Sequence, residues 1–312
     1  MSQAAAANSI APFDSLAPQR ELAARIARFA TGDGFHQSAI DALGLIRHDH
    51  PTEPCAAVYQ PSLCIVVQGS KQARLGDEVF VYDPLHYLVV SVTLPVIGQV
   101  REATPAQPYL CLRIALDPRM ISELVLQAAP APPRGPDRGL FLARTEPPML
   151  DALLRLLRLL DTPEEIGVLA PLVLREICYR VLTGEWGHRL RDLVVTDGGG
   201  QRIGRVIELI KTRFADALSI EELADSVHMS VSALHHRFKS VTALSPLQFQ
   251  KSLRLHEARR LMLNDGLEAA AAAHRVGYES ASQFSREYRR LFGAPPRREI
   301  VALRTQVRAV AD

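Results

Sequence analysis

Between Ser219 and Pro296 the sequence writes one helical pattern twice, and that repetition limits what the chain can fold into. In the first copy Leu223, Ala224, Val227, Leu234 and Phe238 fall where two short helices crossing steeply would meet, so the stretch predicts a bihelical core. Ser219 and Glu222 have the spacing of a capping box. Ser230 stands where the second helix must begin, its hydroxyl able to accept an orphan backbone N–H. In the second copy, Leu267 to Gly293, Gly277 supplies the turn and Ser280 the cap. Each copy reads as a helix-turn-helix unit. Pro246 to Leu263 predicts a helix joining them, roughly 27 Å long at about 1.5 Å per residue. A rigid spacer of that length can hold two recognition helices about one turn of DNA apart, near 34 Å, on one face of the duplex.

The charge agrees once it is divided along the chain. The formal net charge is only +2, yet residues 201–312 hold 18 Lys and Arg against 12 Asp and Glu, which leaves 18 against 22 for the rest. A basic region attracts polyanions; on charge alone a solvated basic face is the alternative, and the helical pattern favours double-stranded DNA as the partner. With 312 residues and 47% hydrophobic content the chain can bury one or two sizeable cores. No apolar run is long and uncharged enough for a membrane span, and the Ala-rich Met1 to Ser9 lacks the basic start of a secretory signal. Cys55, Cys64, Cys111 and Cys178 show no close pairing motif, as expected of reduced thiols in a cytoplasmic protein.

In chain order, residues 1–15 read as a disordered tail and residues 16–146 as a sheet-rich unit entered by a helix with Leu22, Ile26 and Phe29 at helical spacing. Strand-length runs follow at Leu43–His48, Ala57–Tyr59, Leu63–Gln68, Gln72–Leu75, Glu78–Tyr82, His86–Val90, Val96–Arg101 and Tyr109–Ala115. Gly69, Gly76-Asp77, Asp83-Pro84 and Pro105 break them. Short strands at this spacing favour a barrel or a double-sheet jelly roll whose interior suits one small ligand. Ala128 to Pro136 is too rich in proline for a regular element. Residues 147–195 carry two apolar helices, 149–160 and 169–182. In the first, Leu150, Leu153, Leu154, Leu157 and Leu160 form a wide stripe opposite Arg155 and Arg158. One side must cover the sheets; the other suggests a homodimer through 149–182, with wholly intramolecular burial as the alternative. A Gly-rich linker at 196–201, a double helix-turn-helix domain at 202–300 and a tail at 301–312 complete the division. The expected fold class is α+β and multidomain: an amino-terminal β-barrel with a flanking helical pair, then an all-α domain of two helix-turn-helix units joined by a linker helix.

Four stretches make the helical part specific: Ile220-Glu-Glu-Leu-Ala, Ser245-Pro-Leu-Gln-Phe-Gln-Lys-Ser-Leu-Arg-Leu, Glu257-Ala-Arg-Arg-Leu-Met, and Val276-Gly-Tyr-Glu-Ser with Gln283-Phe-Ser-Arg-Glu-Tyr-Arg-Arg-Leu-Phe-Gly. On these residues Ser219 to Pro296 resembles the DNA-binding domain of the AraC/XylS family of bacterial transcription regulators. Upstream, Tyr59-Gln-Pro-Ser-Leu-Cys-Ile-Val-Val-Gln-Gly-Ser-Lys71, Thr93-Leu-Pro-Val-Ile-Gly-Gln-Val and Leu169-Ala-Pro-Leu-Val-Leu-Arg-Glu are similar to the cupin-type amino-terminal domain of one branch of that family. The resemblance covers nearly the whole chain. It implies an effector-responsive, sequence-specific DNA-binding regulator rather than an enzyme, one that meets RNA polymerase if it activates. Leu234 and Phe238 point inward on the first recognition helix, as do Phe284 and Tyr288 on the second. By the family's pattern base contacts fall at Ser232, His235 and His236, and at Ser282, Ser285 and Arg286. Lys239 and Arg289 are suited to phosphates. Arg286 is the best single reader, because a guanidinium can grip guanine O6 and N7 together. The sequence departs from the family in Glu268-Ala-Ala-Ala-Ala-Ala-His274, where an Ile-Ala pair is usual, which predicts a thinner core in the second unit.

The sheet region offers less chemistry. His48-Asp-His50-Pro-Thr-Glu53 has the residue types of a metal-binding cupin, but the flanking glycines are missing and Glu53 stands too close, so no metal and no cofactor are expected. Cys55 and Cys64 are candidate reactive thiols against the commoner outcome of buried structural cysteine. Gln68, His86, Tyr87 and Arg113 are candidates to line a cavity for a small-molecule effector of unknown identity. The competing function, a metal-dependent cupin enzyme with a DNA-binding tail, requires a ligand triad or nucleophile that the sequence does not show.

Overall fold

A computed structural model describes residues 16–127, 138–191 and 199–311. The expected tail at 1–15, the Pro-rich loop at 128–136 and residues 196–198 of the expected linker lie outside them, while 199–201 open a helix.

The amino-terminal half is two antiparallel sheets with helices on one side. Helix α1 (Leu16–Phe29) leads into β1 (Gly34–Gln37), β2 (Leu43–His48), β3 (Cys55–Tyr59), β4 (Ser62–Gln68), β5 (Ser70–Leu75), β6 (Glu78–Tyr82), β7 (His86–Val90), β8 (Leu94–Glu102) and β9 (Tyr109–Ala115). Helix α2 (Pro118–Gln127) and β10 (Leu140–Arg144) complete this part. One sheet has the order β1-β2-β9-β4-β7-β10 and the other β3-β8-β5-β6. The barrel of the sequence reading is therefore corrected to its stated alternative, a double-sheet arrangement: each sheet is a separate hydrogen-bonded ladder, and none of these pairings closes one onto the other. β1 and β10 were not anticipated. β1 is a four-residue strand, too short to show its alternation, and β10 follows the Pro-rich stretch.

Period-two alternation divides the six-stranded sheet between two cores. Leu63, Ile65, Val67, Tyr87, Val89, Leu110, Leu112 and Ile114 face α1, α2, α3 (Pro147–Arg158) and α4 (Ile166–Thr183). Cys64, Val66, Leu88, Val90, Tyr109 and Cys111 face the second sheet, meeting Ala73, Leu75, Tyr82, Val96 and Val100. The leucine stripe of α3 is buried, Leu153 and Leu157 completely. After the short α5 (Gly187–Arg191) the helical domain comprises α6 (Gly199–Thr212), α7 (Ile220–Asp225), α8 (Val231–Thr242), α9 (Pro246–Asn264), α10 (Ala269–Arg275), α11 (Ala281–Phe292) and α12 (Pro296–Ala311). Where a tail was expected from 301, α12 simply continues.

Candidate nucleic-acid interface

Local chemistry fixes both recognition helices. In the first unit the capping box forms: Glu222 N donates to Ser219 Oγ at 3.0 Å and Ser219 N donates to Glu222 Oε2 at 3.3 Å. Ser230 Oγ accepts from Ala233 N at 3.2 Å and starts α8. Leu234 and Phe238 are fully buried, the latter edge-on to Phe249 of α9 at 5.4 Å. That anchorage turns Ser232, His235, His236 and Lys239 to the exposed face of α8. In the second unit Ser280 Oγ accepts from Gln283 N at 3.3 Å, Phe284 and Tyr288 are buried, and Ser282, Ser285, Arg286 and Arg289 are exposed. No acidic side chain pairs with Arg286 or Arg289 among the described residues. The candidates thus fall into two exposed polar faces, one per unit. The 19 residues of α9 between them span roughly 28 Å.

The thin core of α10 has two supports that the sequence reading missed. Ala272 and Ala273 are buried, and an aromatic run supplies the bulk they lack: Tyr278 to Phe284 at 5.4 Å, Phe284 to Tyr288 at 5.4 Å, and Tyr288 to Phe292 at 4.5 Å. Arg254 of α9 then ties the units together. Its Nε donates to Phe214 O at 2.6 Å, Nη1 to Gly277 O at 2.8 Å and Nη2 to Asp216 O at 2.8 Å, linking the approach to the first unit with the turn of the second. With a further bond from Nη2 to Ala215 O at 3.2 Å, the forked, permanently charged guanidinium reaches four carbonyls. Arg254 lay in a motif recognised as a whole, which gave no clue to its separate role.

Contacts from the sheet domain reach the end of α8. Arg138 Nη1 donates to Lys239 O at 3.0 Å and to Ser240 O at 2.6 Å, while its Nε donates to Glu78 Oε1 at 2.8 Å. Beside it, Gly139 N donates to Val241 O at 3.0 Å. Cationic and N–H donors at a helix carboxyl end satisfy carbonyls that have no partner within the helix. On α9, Arg259 pairs with Glu299 at 2.7 Å, lies 4.7 Å from the Phe292 ring centre, and donates from Nη1 to Ala56 O at 3.2 Å.

The effector-pocket candidates do not converge. His86 and Tyr87 are consecutive strand residues on opposite faces; Tyr87 lies in the helix-side core, where burial pushes its hydroxyl up to about 12. His86 Nδ1 is 2.9 Å from Asp83 Oδ1, and Gln68 Nε2 donates to Pro108 O at 2.7 Å. Arg113 shares the inner face with Cys111. Of the candidate thiols Cys55 is exposed and Cys64 buried. Hydrogen bonding with the Cys111 thiol lowers Cys64 to about 7 against the opposing effect of burial. His50 and Glu53 are exposed, and no group of three or more His, Cys, Asp or Glu suited to a metal occurs among the described residues. No described helix is long and apolar enough to cross a membrane.

Comparison with known proteins agrees with this division. A family model described as the AraC-type transcriptional regulator N-terminus matches residues 39–189, and a helix-turn-helix domain model matches residues 223–299. The HTH-type transcriptional activator RhaS of Escherichia coli is 29% identical over 101 residues, 32% of this chain and 36% of that protein. RhaS of Escherichia fergusonii is 33% identical over 96 residues, 31% and 34% of the two chains. The matched stretch thus spans about a third of these relatives' length. Among solved structures, ToxT of Vibrio cholerae O395 has a TM-score of 0.52 at 10% identity, covering 83% of this chain and 96% of its own. Unsaturated fatty acid-bound ToxT has a TM-score of 0.53 at 10% identity, covering 82% and 94%. At that identity the likeness is one of fold.

Proposed function

The chain belongs to the AraC family of transcriptional regulators, and from that premise we propose that it is a sequence-specific reader of double-stranded DNA whose sheet domain senses a small-molecule effector. One observation carries the reading: two capped recognition helices, each with an exposed polar face, are held apart by a continuous helix close to one DNA turn in length. Ser232, His235 and His236 read bases in one major groove and Ser282, Ser285 and Arg286 in the next, with Lys239 and Arg289 on phosphates. A footprint on DNA flanking its own gene tests this. Two protected segments one turn apart are expected; a single protected segment, or none with any sequence preference, overturns it.

The effector response is supported by likeness to ToxT, which has been crystallised with an unsaturated fatty acid, and by the contacts from Arg138 and Gly139 to the end of α8. The helices at 149–182 support a homodimer: Val168, Leu169, Leu172 and Tyr179 of α4 remain exposed while the leucine stripe of α3 is buried. RNA polymerase becomes a further partner if the protein activates, and the site of action is the cytoplasm. Sedimentation of the intact protein tests the dimer; a monomer at micromolar concentration would exclude it.

A further inference from the structure

We propose that Cys64 and Cys111 are a redox-active pair inside the sheet domain, converted by a water-sized peroxide to an intramolecular disulfide. Strand register brings them together. Cys64 of β4 is paired with Arg113 of β9, and Val66 with Cys111, so the two cysteines are diagonal neighbours on one face of the ladder. That face is the inner one, where both residues join the core between the sheets and their thiols are hydrogen-bonded to each other. The two are not equivalent. Cys64 keeps an exposure of 7% and Cys111 none, so an incoming molecule meets Cys64 first. The hydrogen bond from Cys111, helped by the charges of Lys71 and Arg113, holds the Cys64 thiol below its ordinary range against the opposing effect of burial; burial pushes the Cys111 thiol well above its own. Cys64 is thereby suited to attack and Cys111 to resolve.

The surroundings support a thiolate and a small polar visitor. Lys71 Nζ lies 5.7 Å from the Tyr59 ring centre and 5.8 Å from that of Tyr109, with no carboxylate partner among the described residues. A cation so placed favours the anionic form of a neighbouring thiol. Gly98 leaves room for this arrangement, since a Cβ there would lie 2.4 Å from Tyr59 Oη and 3.4 Å from Lys71 Cε. In the same core the Tyr82 and Tyr109 hydroxyls are sealed from solvent without a hydrogen-bond partner. Close packing selects by size: hydrogen peroxide is little larger than water, whereas an electrophile with a carbon chain is excluded. In the reaction the Cys64 thiolate attacks one peroxide oxygen, the O–O bond breaks, and the departing hydroxide takes up the proton that Cys64 released, giving water. The Cys111 sulfur then attacks the sulfenic sulfur. As the S–S bond forms the S–O bond breaks, and hydroxide leaves with the Cys111 proton as a second water. Two electrons pass from the thiols to the peroxide.

Diagonal partners have Cα atoms roughly 7 to 8 Å apart, just beyond the span of about 4.4 to 6.8 Å that a disulfide bridges. Closing the bond must therefore shear β4 against β9, and the ladder is already irregular between Val66 and Gln68, where such a shear can be taken up. Tyr109 and Cys111 belong to the apolar cluster that also holds Leu234 and Phe238 of α8, so the shear reaches the first recognition helix. That consequence rests on the function proposed above; the oxidation itself does not.

Mass spectrometry of the intact protein, treated with hydrogen peroxide, alkylated with N-ethylmaleimide and digested, tests the pair without any substitution. Peptides joined through Cys64 and Cys111 are expected, unchanged in Cys55→Ser and separated by dithiothreitol. In Cys111→Ala, Cys64 should accumulate as a dimedone-reactive sulfenic acid; in Cys64→Ala, Cys111 should stay reduced. Lys71→Met should slow the oxidation about tenfold, and Lys71→Arg should restore it. The bulkier tert-butyl hydroperoxide should act about tenfold more slowly than hydrogen peroxide. The proposal is overturned if Cys55 is oxidised while Cys64 and Cys111 remain reduced, or if the two peroxides act at equal rates. Joined peptides together with a failed footprint in both redox states would sink the DNA-reading function alone.

Discussion

The first helix-turn-helix unit buries Leu223, Val227, Leu234 and Phe238 in the same apolar cluster as Leu94, Val96 and Tyr109 of the sheets, whereas the second encloses Ala272, Val276, Phe284 and Tyr288 in a cluster of its own. The same helical plan is thus held in two ways. Unit one is an extension of the sheet-domain core, fastened at its end by Arg138 and Gly139; unit two stands on its own aromatic run and on Arg254. A change in the sheets would on this arrangement reach α8 first, while Arg286, proposed above to read a base, sits on the helix with the smaller share of common core. Affinity and discrimination need not reside in the same half.

Core truncations test that division most severely. Phe284→Ala removes a fully buried ring and should cost about 3 to 5 kcal/mol, confined to unit two. In hydrogen exchange the amides of α10 and α11 should lose protection while the sheet amides keep theirs. Leu234→Ala should cost about 2 to 5 kcal/mol and, because its cluster is shared, lower protection in β7 and β8 together with α8, and with it abolish DNA binding. Equal effects of the two variants on the sheets would erase the distinction. Next in size, Arg286→Ala should cost roughly 1 to 3 kcal/mol on the cognate site and blur base preference there. Unchanged affinity and preference in a titration against mutated sites would remove Arg286 from the readers. Arg138→Ala removes charge-assisted bonds to two carbonyls at a partly exposed position, on the order of 1 kcal/mol. It should show as faster exchange over the last turn of α8 and a weaker link between effector and DNA affinity; wild-type exchange there would leave the Arg138 contact without a role.

What was legible in the sequence was whatever depends on neighbours along the chain. Ser219, Ser230 and Ser280 cap as their spacing predicts, and the inward positions Leu234, Phe238, Phe284 and Tyr288 follow from helical period, so the two polar faces could be named by elimination and by resemblance. Strand alternation could also have shown that His86 and Tyr87 cannot line one cavity. Contacts between distant segments left no such trace. Arg138 and Arg254 act on backbone carbonyls, which every residue carries, so no complementary side chain marks their targets. His256 lies on a helix with apolar residues on most sides, and only the packing of Phe292 against it reveals a sealed nitrogen. The choice between barrel and double sheet depends on which strands pair, and strand length alone does not encode that.

The smallest expected effect gives the finest test of the two units, because it concerns backbone conformation alone. Each unit needs a left-handed residue in its turn and another at the end of its recognition helix. Unit two has Gly277 and Gly293, with φ of 84° and 83°, whereas unit one has His228 and Ala243, with φ of 52° and 60°. A Cβ in that region costs about 1 to 2 kcal/mol. At Ala243 the penalty is borne where the sheet domain meets α8: a Cβ added to Gly76 would lie 2.8 Å from the Ala243 Cβ. Ala243→Gly should relieve the strain, less the greater freedom a glycine gives the unfolded chain, for a net gain of about 0.5 kcal/mol. Gly293→Ala, at a position with open space around it, should lose about 1 kcal/mol. Urea titration of both variants reads the difference. If Ala243→Gly destabilised as much as Gly293→Ala, the methyl contact with the Gly76 turn would outweigh the strain, and unit one would owe its stability at this position to docking on the sheets.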